Sequence, residues 1–77
     1  MSAQDDGHLM SNDDRLIYLA NQIARNLASE GDAAAALTAQ HIRDFWDGHM
    51  RARILALTAE RPEVLTPIAA EAIASLR

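Results

Sequence analysis

An all-α bundle of about four short helices is the fold this sequence predicts, and three observations point to it. Apolar residues recur at three- and four-residue spacing in successive segments. Glycine- and proline-bearing breaks separate those segments at short intervals. No β-branched run alternates with a period of two, and no internal repeat is visible.

The first element follows a polar lead-in, MSAQDDGHLMSN (1–12), which carries no sustained periodicity and is expected to be a flexible segment outside a single domain over 13–77. A helix is expected from Asp13, capped by Ser11 or Asn12, with Asp13 and Asp14 facing the positive end of its dipole. Leu16, Leu19, Ala20, Ile23, Ala24 and Leu27 then fall on one face, to about Ser29. Tyr18, Asn21, Gln22 and Arg25 fall on the opposite side, toward solvent. Gly31 is expected to end this helix and Asp32 to cap the next.

A second helix, Ala33–Trp46, owes its helicity largely to alanine, and Asp47-Gly48 is expected to stop it. Its arc of Ala34, Ala35, Leu37, Thr38, His41, Ile42, Phe45 and Trp46 spans roughly 180°, wider than the stripe of about 100° that one neighbour covers. A short third helix, about Met50–Ala59, shows a seam of Met50, Ile54 and Leu57 flanked by Arg51 and Arg53. Arg61-Pro62-Glu63 breaks it. Thr66 as a cap with Pro67 in the first turn restarts a helix over Pro67–Leu76, whose apolar face is Ile68, Ala72, Ile73 and Leu76.

Composition narrows the functions open to such a chain. Seventy-seven residues allow one small domain, and although 49% are hydrophobic, sixteen are alanine and three aromatic, so the core should be thin. The absence of cysteine excludes disulfides, thiolate metal sites and thiol catalysis. A formal charge of −4, with seven arginines and no lysine, gives no general attraction to nucleic acid. No signal-peptide pattern and no span-length apolar run is present, so a soluble, cytoplasmic chain without membrane association is expected.

Chemistry concentrates in one stretch, His41-Ile42-Arg43-Asp44-Phe45-Trp46-Asp47-Gly48-His49-Met50-Arg51. His41 and Asp44, three apart on a helix, with His49 beyond, outline a metal or acid–base site, but the ligand set is sparse and the chain too small to enclose a pocket around it. A packed or interface histidine is the simpler reading of His41. The helix, turn and arginine-bearing helix also sketch a helix-turn-helix DNA-binding regulator. Against that, residues 41–53 carry Arg43, Arg51 and Arg53 against Asp44 and Asp47, a net +1. Phe45 and Trp46 point about 100° apart, so one bundle has difficulty burying both. An interaction module with Trp46 as partner anchor is therefore favoured; the alternative is that Trp46 closes the bundle end against Met50.

Two blocks carry a resemblance. Leu16-Ile17-Tyr18-Leu19-Ala20-Asn21-Gln22-Ile23-Ala24, followed by His41-Ile42-Arg43-Asp44-Phe45-Trp46-Asp47 with Met50-Arg51, resembles the delta subunit of bacterial NAD-dependent, molybdenum- or tungsten-containing formate dehydrogenase, over about residues 13–77. Two places depart from that pattern: Gly48-His49 stands where a proline and a basic residue are usual, and Asn26-Leu27 where helix 1 usually ends in aromatics. The resemblance implies a cofactor-free, non-catalytic accessory subunit supporting maturation or stability of a cytoplasmic complex. Its partners would be the larger formate dehydrogenase subunits, the catalytic one foremost, with a homodimer possible in isolation. It transfers no catalytic, cofactor or metal residue. It implies partner-binding roles for Asn21 and Gln22 in the first block, and for His41, Arg43, Trp46, Asp47, Met50 and Arg51 in the second.

Overall fold

The computed structural model describes residues 11–77, so all but the last two positions of the expected lead-in lie outside the described residues. Four α-helices follow one another: α1 (Asn12–Leu27), α2 (Ala34–Phe45), α3 (Gly48–Glu60) and α4 (Pro67–Ala74), with 3-10 turns at Ala28–Ala33 and Pro62–Val64. No strand occurs among the described residues. None of their helices is long and apolar enough to cross a membrane.

Local chemistry sets each boundary. The Ser11 hydroxyl accepts from the Asp14 N–H at 3.1 Å, so of the two expected caps it is serine that serves, while Asn12 begins the helix. Gly31 adopts φ 62°, the only positive φ among the described residues, and turns the chain between α1 and α2. Asp32 does not cap α2 as expected: the N-cap position is Ala33, with no side-chain hydrogen bond, because the 3-10 turn runs straight into the helix. The third helix is longer than its apolar seam suggests. The Asp47 carboxylate accepts from the Met50 N–H at 2.8 Å and starts α3 at Gly48, so Asp47-Gly48 opens this helix rather than only ending the one before. Thr66 caps α4, accepting from the Ala69 N–H at 3.4 Å, with Pro67 in the first turn.

The core is made of small residues on α1 and larger ones opposite. Leu16, Ala20 and Ala24 of α1 meet Ile42 and Trp46, Ile54 and Leu57 of α3, Leu65, and Ala69 and Ile73 of α4. The largest fully buried side chains are three isoleucines, Ile42, Ile54 and Ile73, and Thr38. Alanines at the contact let the helix axes approach closely, which is how a chain so poor in aromatics closes a core. Thr38 returns its hydroxyl to the Ala34 carbonyl at 2.8 Å, and no buried side-chain polar atom among the described residues lacks a partner.

Candidate interaction surfaces

The second resembling block builds the corner between α2 and α3. Trp46 leaves the helix in an extended conformation and turns inward, 6% exposed, into the main core cluster, where half-buried Met50 packs against the same cluster. The expectation of an open anchor at Trp46 is thereby revised. The indole closes the end of the bundle: it lies one helical turn beyond buried Ile42, whose carbonyl still accepts the Trp46 N–H, and shares the core cluster with it, while only the chain after residue 46 leaves the helix. Arg51 donates to the Trp46 carbonyl, an acceptor freed by the end of α2, and Asp47 caps α3. Arg43 reaches across to the Ser75 carbonyl at 2.9 Å, placing a cation at the C-terminal end of α4. Trp46, Asp47, Arg51 and Arg43 thus each make a contact within the chain.

Asn21 does the same for the first block. Read from periodicity as a solvent residue, it donates from Nδ2 to the Val64 carbonyl at 2.9 Å and accepts at Oδ1 from the Thr66 N–H at 2.9 Å. It clamps the segment between the second 3-10 turn and α4 onto α1. Asn21→Leu leaves both backbone groups without this partner and is expected to cost about 1–2 kcal/mol. Urea unfolding followed by circular dichroism checks it, and a change under about 0.5 kcal/mol would show that water serves equally well.

What remains open lies elsewhere. Leu37 (39% exposed), His41 and Phe45 (73% exposed) stand four residues apart on α2 and form an exposed row running obliquely along the helix. The His41 and Phe45 rings are 4.6 Å apart between centroids, tilted by 38°. The expected division of Phe45 and Trp46 is realised with the roles reversed: Trp46 goes in and Phe45 goes out. Of the eight residues assigned by resemblance, His41 is on this row, and Gln22, half-buried, lines a groove on α1 with Tyr18, Arg25, Pro67 and Ile68. Phe45, Leu37, Tyr18 and Arg25 were not singled out as site residues. A wheel locates Leu37 and Trp46 at the two edges of the apolar arc with Phe45 between them, and the core takes the Trp46 edge and leaves the Leu37 edge and Phe45 outside.

No group of three histidine, aspartate or glutamate side chains is placed to hold a metal among the described residues. Asp44, the partner suggested for His41, instead accepts from Gln40 at 3.0 Å. The arginines of the helix-turn-helix outline are engaged as well, Arg51 at the corner and Arg53 in a two-bonded pair with Asp13 at 2.7 and 2.8 Å.

That pair ties the start of α1 to α3. Its hydrogen bond to Arg53 is the main cause holding the Asp13 carboxyl below its ordinary range, with desolvation opposing and the Arg53 and Arg61 charges assisting. A carboxyl lowered on folding stabilises the fold above its unfolded pKa, and that contribution disappears as pH falls through the folded value. The expected loss therefore sets in below about pH 4. Both side chains are substantially exposed, 43% for Arg53 and 33% for Asp13, so the effect is small and screened by salt. Asp13→Asn is expected to flatten that acid limb of a melting-temperature profile at low ionic strength; an unchanged limb would assign the limb to other carboxylates.

Fold and surface together define a small helical bundle with a closed core, an outward apolar row on one helix and an apolar groove beside another. Residues 15–73, most of the chain, match the family model described as NADH-dependant formate dehydrogenase delta subunit FdsD, and the chain belongs to that family. Both resembling blocks lie inside the match. No curated protein and no solved structure matches the chain.

Proposed function

We propose that the chain is a non-catalytic, cofactor-free accessory subunit of a cytoplasmic NADH-dependent formate dehydrogenase. It supports assembly, maturation or stability of the active enzyme by docking on larger subunits, the catalytic one foremost. Membership of the delta-subunit family supports this reading, since such a subunit implies larger partner subunits of a formate dehydrogenase. The observation that carries the docking role is the outward row of Leu37, His41 and Phe45 beside a core already closed without it. An exposed phenylalanine whose ring meets only the exposed His41 ring adds little to the isolated fold, whereas aromatic side chains are favoured at the centre of protein interfaces. Burying the row on a partner stabilises whichever state of the partner presents the matching surface, which is how a subunit without chemistry raises the active fraction.

Deleting the chain in its source and assaying formate-dependent NAD reduction tests the reading. Activity should fall and return when the chain is resupplied; activity equal to that of the parent would contradict a supporting role.

A further inference from the structure

Between α1 and the start of α4 runs a groove of about 580 Å³, open along one side. Ala24 lies in its floor, Pro67 and Ile68 form one wall, and Tyr18, Gln22 and Arg25 line the other at positions 18, 22 and 25, one face of α1. Its volume lies in the range of pockets that hold a small ligand or a few side chains. Arg25 is the only charged residue lining it, and its guanidinium has no ion-pair partner among the described residues. Arg25 stands in the last turn of α1, five residues before Glu30 in the following 3-10 turn and eleven after Asp14 on the same face. The groove therefore joins apolar walls to a single positive charge held in no ion pair among the described residues. Tyr18, 53% exposed, adds an aromatic face and a hydroxyl, and tyrosine and arginine are the residue types that most often dominate interface energetics.

We propose that this groove receives an acidic peptide segment of a larger formate dehydrogenase subunit, its apolar side chain held by Tyr18, Pro67 and Ile68 and its carboxylate paired with Arg25. The inference rests on the accessory-subunit reading, since that supplies a larger polypeptide as occupant. Charge selects the segment: an arginine at the edge of an apolar trough stabilises a carboxylate placed within a turn of the inserted side chain and disfavours a basic one.

The test uses the tagged full-length chain co-expressed with the formate dehydrogenase subunits. Arg25→Glu should lower recovery of the subunits at least tenfold and Arg25→Lys much less, with circular dichroism unchanged for both. Recovery with Arg25→Glu equal to wild type overturns the proposal while the accessory reading stands, because the wild-type chain still recovers the subunits. No subunit recovered by the wild-type chain removes the accessory reading and this inference together. Independently of variant folding, Tyr18→p-benzoylphenylalanine places a photo-reactive group in the groove. Irradiation of the complex should join it to a subunit peptide bearing an aspartate or glutamate within four residues of the attachment point. Attachment to a peptide without an acid, to a second copy of this chain, or to no peptide overturns the proposal.

Discussion

Trp46→Ala is expected to remove about 3–5 kcal/mol of folding stability, the usual cost of deleting a large aromatic from a packed core. A domain of this size holds about 4–12 kcal/mol in total at ~0.05–0.15 kcal/mol per residue, so this single change consumes a large part of it. The reason is geometric. Trp46, at the end of α2, closes a core to which α1 contributes Leu16 and two alanines, Ala20 and Ala24, and packed neighbours relax only partly into the space a deleted indole leaves. The Arg51 bond to the Trp46 carbonyl and the Asp47 cap on α3 fix the same corner, so its loss also loosens the start of α3. Thermal and urea unfolding followed by far-ultraviolet circular dichroism measure the effect. A loss under about 1 kcal/mol would place the indole outside the cooperative core.

The second large effect separates the surface from the fold. Phe45→Asp is expected to leave unfolding within about 0.5 kcal/mol of wild type, because the ring is exposed and its one stacking partner, His41, is exposed as well. The same change is expected to weaken docking on the partner subunit by about 2 kcal/mol or more, roughly thirtyfold in affinity, by setting an unpaired carboxylate where an apolar ring should be buried. Surface plasmon resonance of the two purified chains against the remaining complex measures it. Equal affinity for wild type and Phe45→Asp would move the docking surface away from α2. Adjacent residues thus carry opposite expectations, Trp46 in stability and Phe45 in binding.

The helical architecture was legible because it depends on local signals. Ser11, Thr66-Pro67 and Gly31 act where short-range chemistry says they should, and the three- and four-residue spacing of Leu16, Ala20 and Ala24 marks the buried face of α1. Asp32 misled, since a 3-10 turn joined to a helix needs no side-chain cap. The surface was harder to read. Asn21 looks like a solvent residue on a wheel, yet its amide is held by Val64 and Thr66, more than forty positions away. On a wheel Phe45 falls inside the wide arc of α2 and Trp46 at its edge, yet the core takes the edge, where Ala39, Ile42 and Trp46 are buried, and which side faces the other helices is a tertiary matter that periodicity does not carry. Resemblance assigned partner roles to Asn21, Arg43, Trp46, Asp47 and Arg51, and each has work inside the fold, which by itself gives a reason for those residue types at those positions. Tyr18 and Arg25 escaped because the groove they line is completed by Pro67 and Ile68 from the other end of the chain.

The docking role is tested most directly by purifying the tagged chain from its own source, weighing the co-eluting subunits and assaying the eluate for formate-dependent NAD reduction. Large subunits recovered with activity, and neither recovered with Phe45→Asp, are the expected result. A chain that elutes alone, from cells whose formate dehydrogenase is active and intact, would contradict a stable accessory subunit docking through α2.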